Sequence, residues 1–157
     1  MYYMSYGTDA TGSIKWAGMD GSNPTRLVNE LRFPYGITID LKTSKLFWTD
    51  YWQDKIESSN LEGGDRQTVV QLPADVYPIG TAVANGRIYW AEYGSKKLQS
   101  STTDGNDLVT LYSETHGILG ITLVSDLNLP HSRTNHCAEH SWAKVCVITP
   151  IASRCLT

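Results

Sequence analysis

Short runs of strand composition, broken at regular intervals by Gly, Asn, Asp and Ser, run through most of this chain. One stretch shows the pattern most fully. Tyr35–Asp40 (Y-G-I-T-I-D), Lys45–Asp50 (K-L-F-W-T-D), Lys55–Asn60 (K-I-E-S-S-N) and Arg66–Val70 read as four strands joined by tight turns. From Arg87 the pattern returns as R-I-Y-W-A-E-Y-G-S-K-K-L-Q-S-S-T-T-D-G, with Tyr93 in the place of Tyr51 and Leu98 in that of Ile56. A worn copy opens the chain: Met1–Gly7 aligns on Leu46–Trp52, and Ile14 and Asp20-Gly21 fall where Ile56 and Glu62-Gly63 fall. The period lies in the low forties. With strand composition, such a period excludes the helical repeats of similar length. Each unit is a supersecondary element that cannot bury its faces alone.

A repeated unit of four antiparallel strands is a propeller blade. Residues 1–28 supply strands two to four of a first blade, 35–70 a complete second, and about 79–112 a third. Gly120-Ile121-Thr122-Leu123-Val124 matches Gly36–Asp40 and reads as a further first strand, within 118–124, with no blade after it. The fold class is therefore all-β, a partial, three-blade segment of a propeller. Three blades do not close a ring, so both end blades are expected to expose apolar faces.

The quartet Phe47-Trp48-Thr49-Asp50, repeated as Tyr89-Trp90-Ala91-Glu92, resembles the Tyr-Trp-Thr-Asp signature of the low-density lipoprotein receptor class B repeats. Gly36–Asp40 and Ile56-Glu57 lie where that family places its first and third strands. The resemblance covers about residues 1–124 and implies a six-bladed ring in an extracellular ligand-binding protein, with no cofactor and no metal. In that motif the acid resembles a bracket that hydrogen-bonds to a neighbouring blade, which outweighs reading Asp50 and Glu92 as an acid–base pair. A buried carboxylate needs such partners, because desolvating it alone is costly.

Composition narrows the partners. The chain has 157 residues, 18% charged, and a formal net charge of −3. A mildly acidic surface gives no electrostatic reason to expect nucleic acid. No stretch approaches the ~18 apolar residues of a spanning helix, and Met1–Gly7 lacks the basic start and apolar core of a secretory signal. Any membrane attachment is expected only through a transmembrane segment of a larger parent receptor.

Alternating strand direction gathers certain turns at one end of the blades. That end collects Arg32, Phe33 and Tyr35, the turn Tyr51-Trp52-Gln53-Asp54, then Tyr77 and Ile79, and finally Tyr93 and Lys96. Tyr, Trp and Arg dominate interface energetics, so this end is the candidate ligand-binding face. The resemblance implies the same face. The co-receptor-type members of the family carry acidic residues at several of these positions. Asp54 fits that pattern; Tyr35, Trp52 and Ile79 do not.

Beyond Val124 the periodicity stops. Residues 125–136 read as a linker, and 137–157 hold all three cysteines, Cys137, Cys146 and Cys155. This tail resembles a truncated epidermal-growth-factor-like module, which implies a Cys137–Cys146 disulfide and leaves Cys155 unpaired. Zinc is the alternative for Cys137, His140, Cys146 and Cys155, but structural zinc sites favour a second closely spaced pair. Two copies arranged head to tail, each donating its final strand to the other's first blade, would complete a six-bladed homodimeric ring. The leading function is a protein-binding segment of a lipoprotein-receptor-like receptor, serving endocytosis or Wnt-type signalling. The alternatives are a truncated product without a function of its own and a calcium-dependent propeller hydrolase. The hydrolase needs carboxylates on the channel-lining first strands, where none precedes Asp40.

Overall fold

The structure is a computed structural model. It describes residues 1–7, 11–113, 118, 120–124, 135–140 and 143–148, the last two segments and 122–124 by their backbone. Strands β1 (Tyr2–Tyr6), β2 (Gly12–Trp16) and β3 (Thr25–Leu31) form a first antiparallel sheet in chain order. Strands β4 (Pro34–Asp40), β5 (Lys45–Asp50), β6 (Lys55–Asn60) and β7 (Gln67–Gln71) form the second. Strands β8 (Pro78–Ala84), β9 (Arg87–Glu92), β10 (Lys97–Thr102) and β11 (Val109–Ser113) form the third. These are blades of a propeller, with the innermost strands β4 and β8 side by side.

Turn chemistry sets the hairpins. Asn85-Gly86 joins β8 to β9 with both residues at positive φ, the two-residue turn whose twist matches the strands it links. Period-two alternation then assigns the faces. Leu46 and Trp48 of β5 pack with Ile14, Val28 and Leu31 of the first sheet. Phe47 points the other way, into a cluster with Ile88 and Trp90 of the third. Tyr89, Ala91 and Leu98 cover the far side with Ile79 and Ile118. All four signature aromatics are buried in these seams.

Polar groups lock the seams. The Thr49 hydroxyl accepts from Gly36 N at 2.9 Å and donates to the Ile79 carbonyl of the next blade at 2.6 Å. Arg66 forms a two-point pair with Glu57 at 3.1 and 2.8 Å, and donates to the Asn29 carbonyl of the first sheet at 2.8 Å. Its guanidinium lies over the Trp48 ring, 5.9 Å from the centroid. Backbone contact completes each seam. Gly63 and Gly105, both at positive φ in the third turn of their blades, leave room for the Leu27 and Val69 carbonyl oxygens of the preceding blade. An added Cβ would stand 2.3 and 2.1 Å from them. Gly21, the same turn of the first sheet, meets nothing within 4 Å.

Two findings differ from the sequence expectations. The outer face of the first sheet was expected to be apolar. Instead Ser5, Ser13, Lys15, Arg26 and Asn29 line a crevice of about 360 Å³ there. The reason is alternation: Ile14 turns inward to the seam, which sends Ser13 and Lys15 out. The second finding concerns β12 (Gly120–Val124), expected to stand without a blade. It pairs along its whole length with β14 (Ala143–Ile148), which also pairs with β13 (Asn135–His140), in the order β12-β14-β13. A strand edge with unpaired amides and carbonyls recruits whatever extended segment is at hand. That pairing occupies the edge on which strand exchange between two copies depends. β13 begins at Asn135, inside the range read as linker, and Cys137 stands directly opposite Cys146 in the β13–β14 register. Cys155 lies outside the described residues.

Candidate protein-binding face

The aromatic end is assembled by carboxylates that hold backbone. Asp50, the last residue of β5, accepts from Arg32 N at 2.8 Å and from Phe33 N at 3.1 Å. It thereby fixes the segment that leads from the first sheet into β4, and Tyr51 N donates to the Phe33 carbonyl at 2.9 Å beside it. Asp54, at φ 48°, accepts from Asp75 N at 3.0 Å and from Tyr77 N at 2.7 Å. Those bonds hold the β7–β8 connection, with Tyr77 itself at φ 54°. Glu92, the counterpart of Asp50, turns inward instead. It accepts from Trp90 Nε1 at 2.9 Å and Gln99 Nε2 at 2.8 Å, and Ser95 donates to its other oxygen.

The two held connections and the β5–β6 turn bring six rings together. Tyr51 is the hub: it stacks on Tyr77 with centroids 4.8 Å apart at 15°, meets Trp52 edge-on at 5.0 Å, and touches Tyr35 and Phe33 at 6.2 and 5.6 Å. Tyr6 joins from the first sheet, 5.0 Å from Phe33, and its hydroxyl donates to the Pro34 carbonyl. Phe33, Tyr51 and Tyr77 are half-buried. Around them Trp52 is 60% exposed, Tyr6 54%, Tyr93 50% and Tyr35 45%. Large aromatic rings left open in a group are the anchors from which interfaces are built.

Between the rings lies a hollow of about 310 Å³, walled by Phe33, Tyr35, Tyr51, Trp52 and Tyr93 and floored by buried Ile79 and Ile118. A second, of about 820 Å³, opens on the other side of Phe33 and Trp52 and is lined by Tyr6, Arg32 and Gln53. Gln53 Oε1 is buried there with no hydrogen-bond partner among the described residues. Burial raises the Tyr6 and Tyr51 phenols above the ordinary tyrosine range. Tyr77 is pushed up to about 12, chiefly because its hydroxyl donates to Asp75 at 2.6 Å.

Most of the residues singled out from sequence therefore come together. Arg32, Phe33, Tyr35, Tyr51, Trp52, Tyr77 and Tyr93 line or border the hollows, and exposed Lys96 closes the β9–β10 turn at φ 58°. Two take other roles. Ile79 is the floor rather than the surface, and the Asp54 carboxylate faces its own chain. Ile118 was missed; it stands two residues before Gly120, where Pro34 and Pro78 stand before Gly36 and Gly80, so the repeat offered no signal for an apolar floor there.

Known proteins resemble this chain in sequence and in fold. The chain is 41% identical over 71 residues to the vitellogenin receptor of Solenopsis invicta, a match covering 45% of this chain and 4% of that protein. It is 40% identical over 65 residues to low-density lipoprotein receptor-related protein 5 of Mus musculus, covering 41% and 4%. In sequence the propeller segment is thus similar to receptors of the low-density lipoprotein receptor-related kind. Protein cueball of Drosophila yakuba is 37% identical over 77 residues, covering 46% of this chain and 12% of that protein. No protein-family model matches the chain. Among solved structures, a chain of the nidogen/laminin complex superposes with a TM-score of 0.62 at 25% identity, covering 73% of this chain and 48% of that one. A regucalcin from Agrobacterium tumefaciens reaches a TM-score of 0.64 at 17% identity, which speaks to the propeller fold alone. The chain spans only a small part of the length of the curated relatives it matches.

Proposed function

We propose that this chain is a protein-binding segment of an extracellular receptor, and that the aromatic end of its blades is the ligand face. The observation that carries the reading is the set of open rings Trp52, Tyr93 and Tyr35 around an apolar hollow, with exposed Tyr6 at the neighbouring one. Receptor relatives in sequence support it, as does the protein complex from which the nidogen/laminin likeness comes. The receptor presents this face either to ligands taken up by endocytosis or to a Wnt-type signalling assembly. A hydrolase is disfavoured by the inner strands. Asp40, the first carboxylate on β4, is engaged by Lys42 N at 3.0 Å and by Thr43 Oγ1 at 2.7 Å at the opposite end. Among the described residues no helix is long and apolar enough to cross a membrane.

The test is capture of secreted proteins on the immobilised chain. Trp52→Ala and Tyr77→Ala should each weaken the captured interaction by about 2 kcal/mol or more. Lys42→Ala and Thr43→Ala, at the opposite end, should leave it unchanged. The tail carries a separate part of the proposal: Cys137 and Cys146, opposite one another in antiparallel register, form a disulfide in secreted material. Peptide mapping without reduction should recover that bridge, with Cys155 free or linked to another molecule.

A further inference from the structure

The two hollows share one ridge, Phe33 and Trp52, and differ in chemistry on its two sides. The first is walled by rings and floored by Ile79 and Ile118. The second carries Arg32. Asp50 and Asp54, the carboxylates nearest these rings in sequence, are spent: Asp50 on the amides of Arg32 and Phe33, Asp54 on those of Asp75 and Tyr77. The Asp75 carboxylate takes the Tyr77 hydroxyl, and Glu92 is buried against Trp90, Gln99 and Ser95. A basic side chain arriving at the first hollow would find no uncommitted carboxylate among these. Arg32, by contrast, is exposed, and no described residue accepts a hydrogen bond from its guanidinium.

We infer that this face selects a peptide segment with an apolar anchor, aromatic or branched aliphatic, followed or preceded closely by a carboxylate. The anchor enters the hollow over Ile79 and Ile118. The carboxylate reaches across the Phe33–Trp52 ridge to the Arg32 guanidinium, whose planar fork matches it with two parallel hydrogen bonds. The inference rests on reading the aromatic end as the ligand face, and it adds the sign and shape of what binds there.

A random peptide library displayed on phage, selected on the full chain, tests it. The expected result is enrichment of Phe, Trp, Leu or Ile with Asp or Glu within three positions. For a synthetic peptide of the enriched sequence, Trp52→Ala should weaken binding about thirtyfold. Arg32→Gln should weaken it about tenfold, and only for the peptide that keeps its carboxylate rather than the matching amide. Circular dichroism and melting of both variants, each altered at an exposed side chain, control for folding. Peptides enriched in Lys, Arg or Asn whose binding still depends on Trp52 would overturn this inference and leave the face in place. Peptides indifferent to Trp52, or a selection that yields none dependent on it, would count against the face itself.

Discussion

Asp50 and Glu92 occupy the same place in successive blades and do different work. Asp50, fully buried, reaches back along the chain and grips the amides of Arg32 and Phe33. Glu92, one methylene longer and equally buried, grips the Trp90 indole and the Gln99 amide of its own blade. The tryptophans follow suit. Trp90 Nε1 has its acceptor, whereas Trp48 Nε1 is buried without one among the described residues and its ring is covered by the Arg66 guanidinium instead. The connection that Glu92 does not hold is held from the preceding blade by Asp54. A signature position thus fixes where a carboxylate sits, while side-chain length and the neighbouring turn decide what it organises.

The largest test of that contrast is Glu92→Ala. It strands two buried N–H donors and should cost about 4 kcal/mol in denaturant unfolding. Asp50→Ala should cost less, about 2 kcal/mol, because the donors it releases are partly open to water. It should nevertheless be the variant that loosens the face, read as faster amide exchange at Arg32 and Phe33. Equal exchange at those amides in both variants would remove the division of labour. A finer comparison is Trp90→Phe against Trp48→Phe. The first leaves Glu92 short of a donor and should cost about 2 kcal/mol; the second also removes an orphaned N–H and should cost under ~1 kcal/mol.

The smallest effect is a titration. The Tyr77 phenol should ionise near pH 12, and Asp75→Asn should bring it down toward the ordinary tyrosine value, followed by ultraviolet difference absorbance. Because the folded-state pKa is raised, the stabilisation from this group is fully present below about pH 10, the usual tyrosine value. It is lost as pH rises toward 12.

Repetition made the blades legible. Lys45–Asp50 and Lys55–Asn60 were read with the bounds that β5 and β6 have, since aromatic and turn residues punctuate them. The grouping of the aromatic loops was legible too, because alternating strand direction sends them to one end. Other features were not. Asp54 resembles an acidic ligand residue in sequence, and only the fold brings the Asp75 and Tyr77 amides, more than twenty residues on, under its carboxylate. The β12–β14 pairing skips a strand, so adjacency along the chain does not forecast it. The polar outer face of the first sheet depends on which way Ile14 turns, a choice settled by packing against Leu46 and Trp48.

The central claim is that the open rings at one end of the blades are where a partner sits. Hydrogen–deuterium exchange of the chain with and without a captured extracellular partner reads this directly. Protection is predicted at Arg32 to Tyr35, Tyr51 to Asp54, Tyr77 to Ile79 and Tyr93 to Lys96. Protection confined to the turns at the other end, Leu41 to Ser44 and Asn85-Gly86, with the aromatic turns unchanged, would contradict it.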